Sequence, residues 1–298
     1  MKSCVIAIEG GGTKSTFCFY DIENNRSITH QSDAIQARNQ SIKTIVEHIS
    51  KFIQAEQHRE VFKIIGMICA FVGAGSSEKK QKLKLTLSNQ FECPILVMSD
   101  AEGTWNSCFS KEDKGILSIN GTGSVIIAPK DDDLFAFGGL GKAASELMSG
   151  RSLSQKTLEF IHSELVLGKY SSLTENFIRT YSIKTRQALV DFIYHENNTL
   201  TDIVTLLAEA AENGCTLSQN IIQLEKKALT MHLEMIPSYL NNHPKIVFHG
   251  GLHQNEYLSA EIRAAFSSVC QRMEVKSLPP VAQTLAKRGL NVDFMLLK

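Results

Sequence analysis

The sequence predicts an α/β protein whose two halves begin with the same arrangement of strands and turns. Short apolar runs typical of strands alternate with longer segments that carry apolar residues at helical spacing. Each half opens with a strand, a glycine-rich turn and a second strand, and the two turns span residues 9–14 and 121–124. A charged stretch at 111–114 separates the halves, so we predict domains of residues 1–112 and 113–298.

The first half contains a predicted hairpin followed by alternating helices and buried strands. The predicted strands are 5–8, 15–21, 64–72 and 95–98, and the predicted helices are 42–53 and 79–91. The second of these helices includes Lys79, Lys80 and Lys82. We interpret this lysine run as a solvated helix face rather than a nucleic-acid-binding patch.

The second half is richer in predicted helix. Its predicted strands are 115–119, 124–128, 245–249 and 275–277, and its predicted helices are 152–165, 173–180, 186–192, 201–232, 256–269 and 279–287. The long helix at 201–232 is interpreted either as part of the core or as the face of a homodimer. Its apolar residues give no indication of a cofactor.

Composition excludes several classes of function. The chain has 298 residues, and 31 Lys and Arg balance 31 Asp and Glu, so no net field favours nucleic acid or an anionic membrane surface. The apolar run at the N-terminus is too short for a signal peptide, and no run approaches the roughly 20 residues of a membrane span. Seven scattered cysteines without a Cys-x-x-Cys pair indicate buried thiols in a reducing compartment. We therefore expect a cytoplasmic protein that acts on small molecules.

Both glycine-rich turns are candidate phosphate-binding sites, because successive backbone N–H groups in such turns form a concave anion site without net charge. Two turns that open the two halves of one chain could hold a polyphosphate. The Walker spacing is absent, the Gly-x-Gly-x-x-Gly pattern fails, and the His249/His253 pair lacks an evident third metal ligand. The candidate residues are Gly10, Gly11, Gly12, Thr13 and Lys14 in the first turn, and Gly121, Thr122, Gly123 and Ser124 in the second.

Asp100 is the candidate acid–base residue. It follows the apolar strand at 95–98, and open α/β sheets bind ligands at the carboxyl ends of their strands. A carboxylate that accepts a hydroxyl proton is one of the few protein groups needed for phosphoryl transfer. The alternative is that Asp100 only N-caps the helix that follows. Spacing alone leaves both interpretations open.

Five motifs in order resemble the sugar kinase, Hsp70 and actin superfamily, and within it the N-acetylglucosamine kinases and the related BadF/BadG/BcrA/BcrD ATPases. The resemblance spans residues 6 to about 285. The motifs are Ile-Glu-Gly-Gly-Gly-Thr-Lys at 8–14, Ser-Asp-Ala at 99–101, Asn-Gly-Thr-Gly-Ser at 120–124, Gly-Gly-Leu-Gly at 138–141 and Val-Phe-His-Gly-Gly at 247–251.

This resemblance implies two ribonuclease-H-like domains of the actin-like ATPase type with an interdomain cleft. It implies ATP and Mg²⁺ as cofactors and the phosphorylation of an amino sugar, N-acetylglucosamine or glucosamine. The N-terminal domain would supply the first phosphate loop, sugar contacts and the general base, and the C-terminal domain the second phosphate loop, the adenosine loop and a helical insert. The implied roles are general base for Asp100, sugar binding for Asn39, Gly75 and Gly139, adenosine binding for Gly250 and Gly251, and indirect Mg²⁺ binding for Glu9.

Three departures from the family pattern bear on activity. Glu9 stands where similar proteins have Asp, and residues 145–149 read Ser-Glu-Leu-Met-Ser where relatives have Gly-Asp-Glu-Gly-Ser. Gln283 replaces a usual glycine. These changes keep open a catalytically weakened, regulatory ATPase that binds sugar or nucleotide. A reductase activator with an iron–sulfur cluster is disfavoured, because no loop contains a cysteine pair.

Overall fold

A computed structural model describes residues 2–11, 13–113, 115–130, 133–141, 144, 146–195, 202–236, 244–270 and 272–289. The chain forms two compact units. Unit 1 comprises Met1–Glu112 together with Leu278–Lys298, and unit 2 comprises Asp113–Ser277. Among the described residues, no helix combines the length and the apolar character needed to cross a lipid bilayer.

Unit 1 is built on a five-stranded sheet with the order β3-β2-β1-β4-β5. Its strands are β1 (Lys2–Gly10), β2 (Lys14–Asp21), β3 (Arg26–Asp33), β4 (Phe62–Phe71) and β5 (Ile95–Ser99). The first three strands are antiparallel neighbours, whereas β4 and β5 run parallel to β1. Gly10 is paired with Phe71 and Phe71 with Ser99, so the carboxyl ends of β1, β4 and β5 share one edge of the sheet.

Helices cover the sheet of unit 1. They are α1 (Ile42–Arg59), α2 (Ser77–Phe91) and α3 (Asp100–Cys108). The apolar stripe of α1 and the Leu83/Leu87 stripe of α2 pack on one face, against buried side chains such as Ile8 and Phe17. Ser41 and Ser76 cap α1 and α2 by accepting backbone N–H groups of the first turn, which fixes where these helices begin.

Unit 2 repeats the topology of unit 1. Its strands are β6 (Ile116–Asn120), β7 (Ser124–Lys130), β8 (Asp133–Gly138), β9 (Lys245–His249) and β10 (Glu274–Lys276). The order β10-β9-β6-β7-β8 again places an antiparallel meander beside two strands that run parallel to the first strand. The prediction that each half opens with strand, glycine turn and strand is therefore confirmed, as is the α/β fold class.

Most helices of unit 2 lie between β8 and β9. The unit 2 helices are α4 (Gly150–Leu167), α5 (Ser172–Tyr181), α6 (Arg186–Tyr194), α7 (Ile203–Glu212), α8 (Thr216–Glu234) and α9 (Glu256–Val269). The prediction of a single helix over 201–232 is wrong, and its first residue lies outside the described residues. The chain breaks between α7 and α8 at Gly214, whose φ of 84° belongs to the left-handed region that glycine adopts without steric cost.

The last helix, α10 (Val281–Arg288), follows β10 of unit 2 but packs in unit 1. Its side chains Val281, Leu285 and Ala286 are buried with Ala7 and Ile68 of the central strands, on the face opposite α1 and α2. The predicted domains 1–112 and 113–298 differ from the two units in this segment. The reason is that burying this apolar helix face on the sheet of unit 1 outweighs sequence proximity to unit 2.

The seven cysteines are free, and six of them are buried. Burial raises the pKa of most of these thiols, with Cys4 reaching about 12 and Cys93 about 11. They behave as the small buried hydrophobic residues that the sequence predicts. Cys215 differs: burial alone would raise its pKa, but hydrogen bonds from Ser172, Ser218 and Leu173 outweigh it and lower the pKa to about 7.

Candidate active site

The edge of unit 1 formed by the carboxyl ends of β1, β4 and β5 gathers the two carboxylates that the sequence singles out. Glu9 lies near the end of β1, and Asp100 follows β5 directly. Burial raises the pKa of Glu9, and the negative charge of Asp100 raises it further, whereas a hydrogen bond from the Ala282 N–H and the charge of Lys14 act in the opposite direction. The two carboxyl groups therefore interact electrostatically within one unit.

Asp100 is the first residue of α3 and not its N-cap. The hydroxyl of Ser99 accepts the N–H of Glu102, and the Glu102 carboxylate accepts the N–H of Ser99 at 2.6 Å, which is a complete capping box. The alternative interpretation of Asp100 as a simple N-cap is therefore wrong. Burial raises the pKa of Asp100 despite the backbone N–H groups of Ala101 and of Asp100 itself. A carboxylate with a raised pKa is a stronger proton acceptor.

The first glycine-rich turn closes the hairpin of β1 and β2. The Gly11 N–H donates to the Lys14 carbonyl at 3.0 Å, and a Cβ on Gly11 would approach that carbonyl oxygen to 2.7 Å. A Cβ on Gly10 would lie 2.6 Å from the Ile35 carbonyl oxygen. Thr13 and Lys14 are exposed at this turn, and Gly12 lies outside the described residues. Close backbone packing explains why glycine occupies positions 10 and 11.

Asn39 and Gly75 lie at the same edge of the unit 1 sheet. The segment before Asn39 pairs with the residue after β4 through a parallel bridge between Gln36 and Val72. Gly73 has φ 78°, and a Cβ there would lie 2.7 Å from the backbone nitrogen of Arg38. The Asn39 amide is exposed and donates to the Gln36 Oε1 at 2.9 Å. These two short segments border the edge that carries Asp100.

The second glycine-rich turn joins β6 to β7 and is anchored to the start of α4. The Gly121 N–H donates to the Gly123 carbonyl at 2.9 Å. The carbonyls of Gly121 and Thr122 accept the N–H groups of Gly150 and Arg151 at 2.7 and 3.1 Å. The start of α4 therefore holds the backbone of this turn through two of its carbonyl groups.

A buried carboxylate, missed by the sequence analysis, contacts the same turn. Glu146 accepts the N–H of Ser124 at 2.9 Å and the N–H of Gly141 at 2.6 Å. The Ser124 hydroxyl donates to the Leu147 carbonyl at 2.6 Å. A Cβ on Gly123 would overlap the Glu146 carboxylate. Both polar groups of Ser124 are thus engaged by the 146–147 segment, and Glu146 links the second turn to the loop that contains Gly139.

Gly139 itself has φ 68°, and its N–H donates to the Ser124 carbonyl at 2.9 Å. The next residue, Leu140, is 71% exposed, which is unusual for a leucine beside a buried segment. The assignment of Gly139 to sugar binding stays a prediction.

A second buried carboxylate holds the chain just after Glu146. The Met148 N–H donates to the Glu225 carboxylate at 2.8 Å, and the Lys156 ammonium lies 3.5 Å from the other Glu225 oxygen. Met148 is fully buried with φ 49°. The hydrogen bond to the buried Glu225 carboxylate therefore holds a left-handed backbone that a methionine would otherwise disfavour.

Asn120 connects the second turn to the adenosine loop. Its amide Nδ2 donates to the Met148 carbonyl at 2.9 Å, and its Oδ1 lies 3.2 Å from the His253 Nε2. Burial, together with the charges of Arg263 and His249, lowers the pKa of His253 to about 4, so the ring is neutral and its Nε2–H donates to Asn120. Among the described residues no cluster of three metal-ligating side chains occurs.

The adenosine loop borders a cavity within unit 2. Gly250 has φ 111° and ψ 167°, and a Cβ there would overlap the Asn120 carbonyl oxygen and lie 2.9 Å from its backbone nitrogen. The cavity of about 340 Å³ joins Gly251 to the second turn. Its walls combine small or apolar side chains, namely Val204, Ala208, Leu252 and Leu258, with the backbone of Gly121, Thr122 and Gly150.

The sequence profile of the BadF/BadG/BcrA/BcrD ATPase family matches residues 6–284 of this chain. The chain belongs to the BadF/BadG/BcrA/BcrD ATPase family. The match covers both glycine-rich turns, Asp100 and the adenosine loop, so the resemblance inferred from the motifs is confirmed. A comparison with curated proteins finds no match.

Solved structures share the fold of this ATPase family member. A candidate N-acetylglucosamine kinase of Chromobacterium violaceum superimposes with a TM-score of 0.71 at 15% identity, over 99% of each chain. A candidate N-acetylglucosamine kinase of Porphyromonas gingivalis has a TM-score of 0.66 at 18% identity, over 97% of this chain and 99% of its own. A ROK hexokinase of Thermus thermophilus has a TM-score of 0.63 at 11% identity, over 98% and 100% of the two chains. At such identities the likeness shows the fold alone, which is that of actin-like ATPase sugar kinases.

Proposed function

We propose that this protein is an ATP-dependent kinase that phosphorylates an amino sugar, N-acetylglucosamine or glucosamine. The observation that carries the proposal is the state of Asp100. It begins helix α3 at the carboxyl edge of the unit 1 sheet, and burial raises its pKa. Because Ser99 and Glu102 cap this helix, the Asp100 carboxylate does not have to serve as the cap. A proton acceptor at a ligand-binding sheet edge is what phosphoryl transfer to a hydroxyl requires.

The proposed sugar site uses residues of unit 1. Asp100 would accept the proton of the attacking hydroxyl as the bond to phosphorus forms. Asn39, whose exposed amide carries donors and an acceptor, would hydrogen-bond another hydroxyl of the sugar. Gly75 has no atom within 4 Å of the position of a Cβ, so a ligand can approach its backbone.

The proposed nucleotide site uses the cavity of unit 2. The base would lie between the apolar walls at Val204 and Leu258, with Gly250 and Gly251 along its edge. The phosphates would bind backbone N–H groups of the 121–124 turn. The Gly121 and Ser124 N–H groups are already bonded, to the Gly123 carbonyl and to Glu146, so the N–H groups of Thr122 and Gly123 would carry this contact.

Mg²⁺ would be held chiefly by the nucleotide phosphates and water, with Glu9 as the nearby carboxylate. The residues fit this role: burial and the charge of Asp100 raise the pKa of Glu9, and a divalent cation would offset both effects. When bound, the ion neutralises charge on the transferred phosphate. The Ala282 N–H at the start of α10 holds the Glu9 carboxylate by a hydrogen bond.

A coupled ADP-release screen over amino sugars and hexoses, with Mg²⁺ and ATP, tests the proposal. Release should depend on an amino sugar, and Asp100→Asn should lower turnover by about 10² to 10⁴ while nucleotide affinity is retained. The matched variant Ala208→Trp should do the reverse and abolish nucleotide binding, because the indole would fill the cavity beside Gly251. Unchanged turnover in Asp100→Asn would remove Asp100 from the mechanism.

The second candidate is a regulatory ATPase of the same fold with weakened catalysis. Two observations favour it: Glu9 in place of aspartate, and the engagement of Ser124 by the divergent 146–147 segment. Calorimetry separates the candidates. Sugar binding without ADP release across the whole panel would favour the regulator over the kinase.

A further inference from the structure

Helix α3, which carries Asp100 at its first position, is held at both ends by charged side chains from other helices of unit 1. At its start, the Lys80 ammonium of α2 lies 2.7 Å from both carboxylate oxygens of Glu102. At its end, the Arg288 guanidinium of α10 donates to the carbonyls of Asn106 and Phe109. The Lys80 contact neutralises the charge of Glu102. The Arg288 contact satisfies carbonyls at the end of the helix that have no partner within it.

Between these two terminal contacts, close packing against the sheet restricts the position of α3. A Cβ on Gly103 would overlap the Ala70 Cβ of β4, so the helix backbone rests directly on the sheet. The Thr104 hydroxyl donates to the Asp100 carbonyl at 2.8 Å, which ties the first turn to the second. The close contact of Gly103 with Ala70 blocks a shift of α3 toward the sheet.

Glu102 has two tasks at the start of α3. The same oxygen that meets Lys80 also accepts the Ser99 N–H at 2.6 Å, so the ion pair and the capping box share one carboxylate. Burial opposes ionisation of Glu102, but the Lys80 and Ser99 donors outweigh it and lower its pKa. The ionised carboxylate in turn raises the pKa of Asp100, after the larger effect of burial.

We propose that Lys80 and Glu102 are positioning residues for Asp100: the pair fixes the first turn of α3 and sets the electrostatic potential at the Asp100 carboxyl. This inference rests on the proposed function, in which Asp100 is the general base. Lys80 is only 25% exposed and so departs from the solvated face predicted for its lysine run. The pair joins α2, which follows the loop with Gly75, to α3, which carries the base.

The charges around Asp100 give the proposal a signature that a purely structural role lacks. The charged groups that interact with Asp100 are Glu102, whose carboxylate raises the pKa of Asp100, and Glu9 of β1, whose own pKa is raised by the charge of Asp100. Lys80 acts through its ion pair with Glu102.

Lys80→Met leaves the Glu102 charge without its counterion, so the pKa of Asp100 should rise. Glu102→Gln removes that charge and leaves Lys80 unpaired, so the pKa of Asp100 should fall. Glutamine also keeps the capping contact with Ser99.

The experiment compares the pH dependence of kcat in the wild type and in three variants. The acidic limb should move to higher pH in Lys80→Met and to lower pH in Glu102→Gln, and kcat at its plateau should fall by about 10-fold to 10²-fold in Lys80→Met as Asp100 loses its position. The sugar KM should change far less than kcat. Lys82→Met is the matched control on α2: its 2.6 Å pair with Glu78 is exposed, and its profile should equal the wild type.

A second readout does not depend on turnover. The ¹³C shift of the Asp100 carboxyl, assigned by comparison with Asp100→Asn, reports its titration directly in the folded, full-length protein. Displacements of opposite sign in Lys80→Met and Glu102→Gln support the inference. Displacements of the same sign, or none, overturn it. A wild type that titrates as expected but releases no ADP with any sugar would overturn the proposed function and leave this inference standing.

Discussion

Gly250 offers a sharp test of the adenosine loop, because its neighbour Gly251 provides a control at the next position. Gly250 has φ 111° and ψ 167°, a region that is essentially restricted to glycine, and occupying it with alanine costs about 1–3 kcal/mol. The new Cβ would also overlap the Asn120 carbonyl, a rigid backbone group, and such overpacking costs about 1–3 kcal/mol. Gly250→Ala should therefore lower the free energy of unfolding by about 2–6 kcal/mol.

Urea denaturation followed by far-UV circular dichroism measures this loss, since most helices lie in unit 2. The fluorescence of Trp105, the single tryptophan, reports unit 1 in the same samples. Gly251→Ala should change stability by no more than about 0.5 kcal/mol, because no atom lies within 4 Å of its added Cβ. Equal stability of the two variants, or a loss seen only by Trp105, would refute the reasoning. Gly250→Ala should also weaken nucleotide binding, because Asn120 and the cavity wall must move.

Three further predictions follow from buried charges. Lys156→Met should lower the free energy of unfolding, measured by urea denaturation, by about 1–3 kcal/mol, because it leaves the buried Glu225 carboxylate without a counterion. The double variant Glu225→Gln with Lys156→Met should restore part of this loss. Asp100→Asn should raise the thermal midpoint at pH 7 but not below about pH 4, because a carboxyl whose pKa is raised by folding destabilises the protein only where the unfolded chain ionises. Glu9→Asp should raise kcat, by up to about 10²-fold, if the extra methylene of glutamate displaces the carboxylate proposed to bind the metal. An unchanged kcat would show that the loop conformation already compensates for the longer side chain.

Periodicity predicts much of this fold because most elements bury one face. Helix α9 begins and ends where its pattern indicates, and the strands of the central sheets show the expected apolar runs. Strands β3 and β8 were not predicted, since both lie at sheet edges and alternate exposed with half-buried residues. The sequence of β3 is polar except for Ile28, and the short apolar run at 134–137 in β8 has no alternation of apolar with polar residues.

Helix α3 could have been found from its start signal. Ser99 and Glu102 have the Ser-x-x-Glu spacing of a capping box, directly after an apolar strand. The break at Gly214 was less visible, because the apolar spacing continues from α7 into α8 with a similar phase. A single glycine inside such a pattern can be tolerated within a helix or can end it, and only packing decides.

In the candidate site, too, the sequence predicts some residues and not others. Backbone requirements appear in the sequence as glycines at fixed positions, and the structure explains those at Gly10, Gly11 and Gly250 by close contacts. The supporting side chains do not appear, because their partners are distant in sequence. Glu146 meets a turn 22 residues earlier, and Glu225 meets a residue 77 positions away. No spacing rule connects such residues before the chain has folded.

The path of the chain also affects how the protein can fold during synthesis. Unit 1 begins at the first residues but lacks α10 until the ribosome has translated all of unit 2. Until then Ala7 and Ile68 lie on an uncovered apolar face, which is a hazard for aggregation of the nascent chain. Unit 2, whose sequence is continuous, needs no later segment to complete its own core.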